Sequence, residues 1–281
     1  MSTVTIIDTH THVVSHDRAA FPLAPPADLP RMPWFDVHPV DASGLLDAMR
    51  TADVHGAVLV QAKGAYGFDN GYAADARLVA PERLVNASII DMAAPDRIER
   101  LDYWTVERGM LGTRLFNIAP ASPRWLDDPA TALVLDRCRE RGVRVALCVL
   151  VDEVPFVRAL CAMAPDLPIA LDHCGFVDLL GDTRALDALA DVPNLFLKVT
   201  TTLLEPALRA SRDPRDVLER LCEVFGVERL MWGSDYPQHH QEPYAEIVGL
   251  ARYTCSRLTA AEQARFLGGT ALTFWPELQP R

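Results

Sequence analysis

The strongest constraint on this chain is a rhythm of eight short apolar runs, each followed by a longer stretch with helical periodicity. The runs occupy residues 4–8, 57–61, 84–90, 113–117, 143–149, 168–173, 194–200 and 229–235. Each is too short for a helix and mostly apolar on both faces, as in VRVALCV. That is the pattern of strands buried on both sides, and therefore of a parallel sheet. Strands alternating with helices fold as right-handed βαβ units. Eight such units in 281 residues predict an α/β fold with one domain, a closed (β/α)8 TIM barrel. An open doubly wound sheet is the rival, but no GxGxxG or GxxxxGK[ST] follows any run.

The helices have readable ends. Asp41 or Ser43 can cap one that runs to about Asp53, and another spans residues 129–141, with Pro129 in its first turn and Gly142 as its stop. Asp213 and Pro214 open a third that ends at Phe225 before Gly226, and two more cover residues 243–257 and 260–267. Residues 14–40 break the rhythm: they show no period and hold Pro22, Pro25, Pro26, Pro30, Pro33 and Pro39. A structureless loop of that length inside a compact domain is usually functional. After the first strand of a barrel it stands at the C-terminal face, where active sites form. We expect an active-site lid; a tolerated insertion is the plainer reading.

Composition narrows the partners. The balance of 27 Lys plus Arg against 38 Asp plus Glu gives a net charge of −11, which argues against nucleic acid or an anionic membrane. No run of about 18 apolar residues marks a membrane span. MSTVTIIDTHTH has neither the basic region nor the cleavage site of a secretory leader. Six cysteines without a CxxC read as reduced, mostly buried thiols. A cytoplasmic protein is expected, acting on a small molecule. Nothing on the helical faces marks or forbids a homo-oligomer.

The polar residues that interrupt the apolar pattern cluster at strand ends. Asp8-Thr9-His10-Thr11-His12 closes the first run, and alternation along a strand puts His10 and His12 on one face. Asp172-His173-Cys174-Gly175 follows the sixth run, where a lone histidine would ordinarily be a satisfied core residue. Trp232-Gly233-Ser234-Asp235-Tyr236-Pro237 closes the eighth, where an aspartate before proline is ordinarily a turn former. In a barrel the first and eighth strands are neighbours, so Asp235 should meet the histidine pair. Arg114 on strand 4 and Lys198 on strand 7 put cations into the mouth, as does Lys63 after strand 2 beside Tyr66, Asp69 and Asn70. Such cations require anionic partners, either an internal carboxylate or an anionic substrate. His239 and His240 follow strand 8 and are equally explained by a solvated loop.

Together the HxH, the DHxG of strand 6, the NxxxK of strand 7 and the WGSDxP of strand 8 resemble the amidohydrolase superfamily. The resemblance is to its branch of 2-pyrone-4,6-dicarboxylate and sugar lactonases, and extends to Asp41-Ala42-Ser43, Val60-Gln61, Asp69-Asn70 and Gly112-Thr113-Arg114. It implies a (β/α)8 barrel that hydrolyses a small, carboxylated lactone. By that resemblance Asp235 is the general base on water, and His10, His12 and His173 polarise the scissile carbonyl. Arg114 and Lys198 hold anionic groups of the substrate, with Tyr66 and Asn70 beside them. It also implies that His10, His12, Asp235 and His173 are the ligands if one zinc ion is bound, while related enzymes work without metal; both cases stay open. Strand 5 offers no histidine and strand 4 no lysine, which argues against a binuclear site. The missing strand-5 histidine also counts against the first alternative, a metal-dependent decarboxylase of an aromatic acid. A lactone isomerase is the second.

Overall fold

Eight parallel strands pair in chain order in the computed structural model of the chain. They are β1 (Ile7–Thr11), β2 (Gly56–Val60), β3 (Leu84–Ile89), β4 (Gly112–Asn117), β5 (Arg144–Val149), β6 (Ile169–Leu171), β7 (Leu195–Thr200) and β8 (Leu230–Gly233). The structure describes residues 4–280 apart from 28, 30–32, 119–124 and 127. Helices stand between the strands, so the fold is the expected single-domain (β/α)8 barrel.

Closure is made at the seam of β8 and β1. Thr11 pairs with Tyr236 in a parallel bridge, while Asp235 N–H donates to His10 O and His12 N–H to Tyr236 O, both at 2.8 Å. The approach requires Gly233, since a Cβ there would stand 2.8 Å from His10 Cβ. At the opposite end of the barrel, Phe274, Trp275 and Leu278 pack under Ile7, Val58, Val85 and Met231. The floor is thus apolar and filled, and the polar layer lies toward the mouth.

Several helix ends follow the sequence chemistry. The Asp41 carboxylate accepts from Gly44 N–H and opens Ala42–Thr51, which decides between Asp41 and Ser43. Asp213 caps Pro214–Phe225, and Gly142 ends Thr131–Arg141 in a left-handed conformation at φ 66°. Most strands lie within one residue of their apolar runs, and β1, β6 and β8 differ by more, β8 ending at Gly233. β1 begins at Ile7 rather than at residue 4, because its pairing with β2 starts at Ile7 opposite Gly56. β6 stops at Leu171, two residues early, because His173, Cys174, Gly175 and Phe176 turn through positive φ. The helix expected over 260–267 is Ala260–Ala264, continued by a wider turn over Arg265–Gly269.

The proline-rich segment has its ends tied together, with Val14 N–H donating to Val40 O at 2.8 Å. It contains the short helix Trp34–Val37, whose Trp34 and Phe35 pack on Ala62, Ala65 and Tyr66. Pro30 of this segment lies outside the described residues. All six cysteines are free, and all but Cys222 are buried.

Candidate active site

The barrel mouth holds a buried cluster of His10, His12, Asp172, His173, Lys198, Arg114 and Asp235. β1 carries His10 in the strand and His12 one residue beyond. Asp172 and His173 leave the end of β6, and Asp235 stands two residues past β8. His173 and Asp235 both hold positive φ, at 52° and 60°. Side chains other than glycine rarely adopt that conformation, and it recurs where the fold dictates the aim of a functional group.

Asp235 is the hub. Its Oδ1 lies 3.2 Å from His12 Nε2 and 3.8 Å from His10 Nε2. Its Oδ2 accepts from Thr202 Oγ1 at 3.0 Å and Gln238 Nε2 at 3.2 Å. Burial opposes ionisation of Asp235, but the His12 contact and the neighbouring His173 and His10 hold its carboxyl below the usual range. His12 Nδ1 contacts Val60 O at 2.8 Å, and a carbonyl only accepts, so the proton sits on Nδ1. His12 Nε2 therefore faces Asp235 Oδ1 with a second proton or with a lone pair. Two bare lone pairs 3.2 Å apart repel, so this contact demands a cation between them, a proton or a metal ion.

His10 is fully buried and neither ring nitrogen has a hydrogen-bond partner among the described residues. Burial lowers its pKa well below the ordinary histidine value and keeps it neutral. Orphaned nitrogens of this kind, with the equally orphaned Asp235 Oδ1, fit a metal ion better than they fit a closed hydrogen-bond network. His10, His12 and Asp235 can present one ligand atom each within 4.8 Å of one another. Two imidazoles and one carboxylate suit zinc and leave its fourth position to water. His173, expected as a further ligand, is outside this set of three. Its Nδ1 instead meets Thr200 Oγ1 at 2.7 Å, and burial lowers its pKa to about 4.

The cations behave differently from one another. Arg114 Nε and Lys198 Nζ both pair with Asp172, at 2.6 Å and 2.9 Å. Burial would raise the Asp172 pKa, yet Lys198 and Arg114 hold it well below the ordinary range. The internal carboxylate is thus the partner that these cations required. Arg114 also lines the cavity, which has a volume of about 310 Å³ and is walled by Trp34, Phe116 and Phe176. Lys198, Tyr66 and Asn70 are not on the lining. Tyr66 hydroxyl accepts from Ser15 N–H, and Asn70 bridges Phe68 O and Ile89 in the chain that supports the loop. Lys63 is on the lining, as are Gln238 and Cys148. Gln238 and Thr202 gave no signal in the sequence, since neither belongs to a strand-end motif. His239 reaches Thr202 Oγ1 with Nε2 at 2.9 Å, whereas His240 stacks on His38 with ring centres 4.2 Å apart.

A parallel barrel with a histidine pair, a third histidine and an aspartate converging at its C-terminal mouth is the architecture of a barrel hydrolase. The chain belongs to the amidohydrolase family, whose profile matches residues 7–276. It is 32% identical over 209 residues to an L-fucono-1,5-lactonase of Burkholderia multivorans, a span of 64% of this chain and 67% of that one. Among solved structures it is similar to a probable 2-pyrone-4,6-dicarboxylic acid hydrolase from Acinetobacter baumannii with citric acid bound. That match has 18% identity, a TM-score of 0.77 and coverage of 97% of this chain and 99% of that one. An amidohydrolase from Burkholderia multivorans with bound zinc matches at 22% identity and a TM-score of 0.75, over 97% and 99% of the two chains. Decarboxylases of 5-carboxyvanillate and 2,6-dihydroxybenzoate share the fold at 16% and 13% identity. No helix of the described residues is long and apolar enough to cross a membrane.

Proposed function

We propose that the protein hydrolyses a small, carboxylated lactone, with Asp235 as general base. The observation that carries this reading is the division of labour on one buried carboxylate. Oδ2 is held by Thr202 and Gln238, while Oδ1 is turned to His12 and His10. A water within reach of Oδ1 loses its proton to Asp235 as its oxygen attacks the ring carbonyl. The carbonyl electrons move onto oxygen and return as the ring C–O bond breaks; the departing alkoxide takes the proton held by Asp235, giving a hydroxy acid and restoring the carboxylate. His173 polarises the carbonyl from Nε2–H, a tautomer obtained when the Thr200 hydroxyl donates to Nδ1. A neutral His173 is the species for that role, and its pKa of about 4 provides it. Arg114, anchored on Asp172, presents its guanidinium to the cavity as a partner for an anionic group.

His10, His12 and Asp235 would hold a zinc ion, which when bound lowers the pKa of its water to about 7 and supplies hydroxide at neutral pH. A lactone ester is activated enough for Asp235 to serve as base without it. The segment of residues 14–40 is proposed as the lid: its Trp34 lines the cavity with its ring 5.7 Å from that of His12. A decarboxylase is less well supported, because β5 brings Cys148 and no histidine to the cavity. Screening carboxylated lactones by proton release, with and without chelator, tests the reading. Acid production from at least one supports it, whereas carbon dioxide release from an aromatic acid with no lactone turned over overturns it.

A further inference from the structure

The segment proposed as the lid puts Leu29 and Trp34 on the cavity wall among its described residues. Of these, Trp34 alone carries a polar side-chain atom, the indole N–H, which can only donate. Trp34 is 4% exposed. Its N–H has no hydrogen-bond partner among the described residues, yet it is not sealed off as the indole nitrogens of Trp232 and Trp275 are. A donor that stays accessible in so buried a residue opens on the cavity which that residue lines. Left without a partner it is penalised, and an acceptor on a bound ligand relieves the penalty.

The ring is also held in place. Phe35 meets it edge-on with ring centres 5.5 Å apart, and the His12 ring lies 5.7 Å away at 31°. Arg18 Nη2 donates to Phe35 O at 2.9 Å, which ties down the short helix that carries both aromatics. A donor fixed before binding loses little freedom when a ligand arrives. Because His12 bears on Asp235, the Trp34 ring stands beside the reacting centre.

Arg114, the guanidinium of this cavity, is partly committed: its Nε bonds Asp172 and its Nη2 bonds Cys148. A substrate carboxylate accepts through about four lone-pair sites. In a nearly closed pocket it draws on several donors of the wall, and Trp34 is the one that the lid adds. We propose that Trp34 is a specificity-determining residue, its indole N–H donating to a carboxylate oxygen of the bound lactone. The inference deepens the lactonase reading and rests on it.

The preference for a carboxylated lactone over the same lactone without its carboxyl group tests this, in wild type and in Trp34→Phe. Phenylalanine keeps an aromatic wall and removes the N–H. A hydrogen bond to a charged group predicts that the preference falls roughly 10- to 100-fold in Trp34→Phe, through KM rather than kcat. Equal losses on both lactones, as a packing or water-excluding role would give, overturn the proposal. So does an unchanged preference, or a change confined to kcat. If no lactone is hydrolysed, the lactonase reading has failed, and proton NMR of the indole N–H groups with 2-furoate still decides on Trp34. The resonance that is missing from Trp34→Phe should move downfield as furoate is added to the wild type. A Trp34 resonance that stays in place throughout the titration rejects the contact.

Discussion

The Tyr244 hydroxyl donates to Asp8 Oδ2 at 2.8 Å, across the seam where the barrel closes. The other oxygen of Asp8 accepts Ser234 N–H at 2.9 Å and His10 N–H at 3.1 Å. One buried carboxylate therefore ties the histidine strand to the segment that delivers Asp235. It does so at a cost: burial pushes its pKa up to about 6, against hydrogen bonds from Ser234, His10 and Tyr244 that lower it.

A raised folded-state pKa makes ionised Asp8 a burden above that value and none below the unfolded value of 3.8. Asp8→Asn keeps an oxygen for the two N–H donors, and Tyr244 can turn its hydroxyl to accept from the new amide. The variant should gain stability over wild type by roughly 1–3 kcal/mol as pH rises from 4 to 7. Denaturation midpoints measured across that range check it. An advantage that does not grow with pH would show that Asp8 is not protonated on folding.

Asp235→Asn should lower kcat by about 10³-fold or more on any lactone the wild type hydrolyses, with the melting temperature nearly kept. Turnover and circular dichroism on the same preparation separate loss of the base from loss of the fold. Near-normal hydrolysis would remove Asp235 from the mechanism.

Thr202→Val removes a bond to Asp235 Oδ2 without changing volume. Oδ2 keeps its bond from Gln238, so the loss should lower kcat severalfold by loosening the aim of Oδ1 while leaving the fold intact. The acid limb should stay where His173 protonates, near pH 4, in both proteins. An unchanged kcat in Thr202→Val would reduce the threonine to packing.

Metal-stripped protein given zinc should take up about one equivalent, as a three-ligand site does. His12→Ala should lose that uptake and His173→Ala should keep it, because His173 stands outside the set of His10, His12 and Asp235. Elemental analysis after dialysis gives the stoichiometry. Loss of zinc in His173→Ala alone would redraw the ligand set.

Removing Asp172 as Asp172→Asn leaves Arg114 and Lys198 buried with like charges and no shared carboxylate. Breaking a buried ion pair in this way costs about 3–5 kcal/mol. The double variant with Lys198→Met should recover part of the loss, read as a coupling energy in a double-mutant cycle by urea denaturation. Additive losses would mean that the three charges are not one unit.

Most of the barrel was legible in the chain because burial on both faces leaves a simple mark, an apolar run of strand length, and eight of these recur. The end of β6 was not legible. Asp172 and His173 read as the last residues of a strand, yet from His173 the chain turns through four left-handed residues, of which only Gly175 advertises that conformation. The cations were read as a pair with one fate. Arg114 reaches the cavity and Lys198 does not, although both pair with Asp172.

The sequence by itself determined the eight-fold alternation, the strand-end placement of His10, His12, His173 and Asp235, and the presence of more cations than an apolar core tolerates. Periodicity and local chemistry carry that information, because they depend on neighbours a few residues apart. Only the tertiary structure decided which charges meet. Asp172 takes both Arg114 and Lys198, Lys63 stands between Phe68 and Phe116, and Thr202 and Gln238 hold Asp235. Those contacts join residues from different strands and loops, and their energies depend on distance and burial, which a linear pattern does not contain.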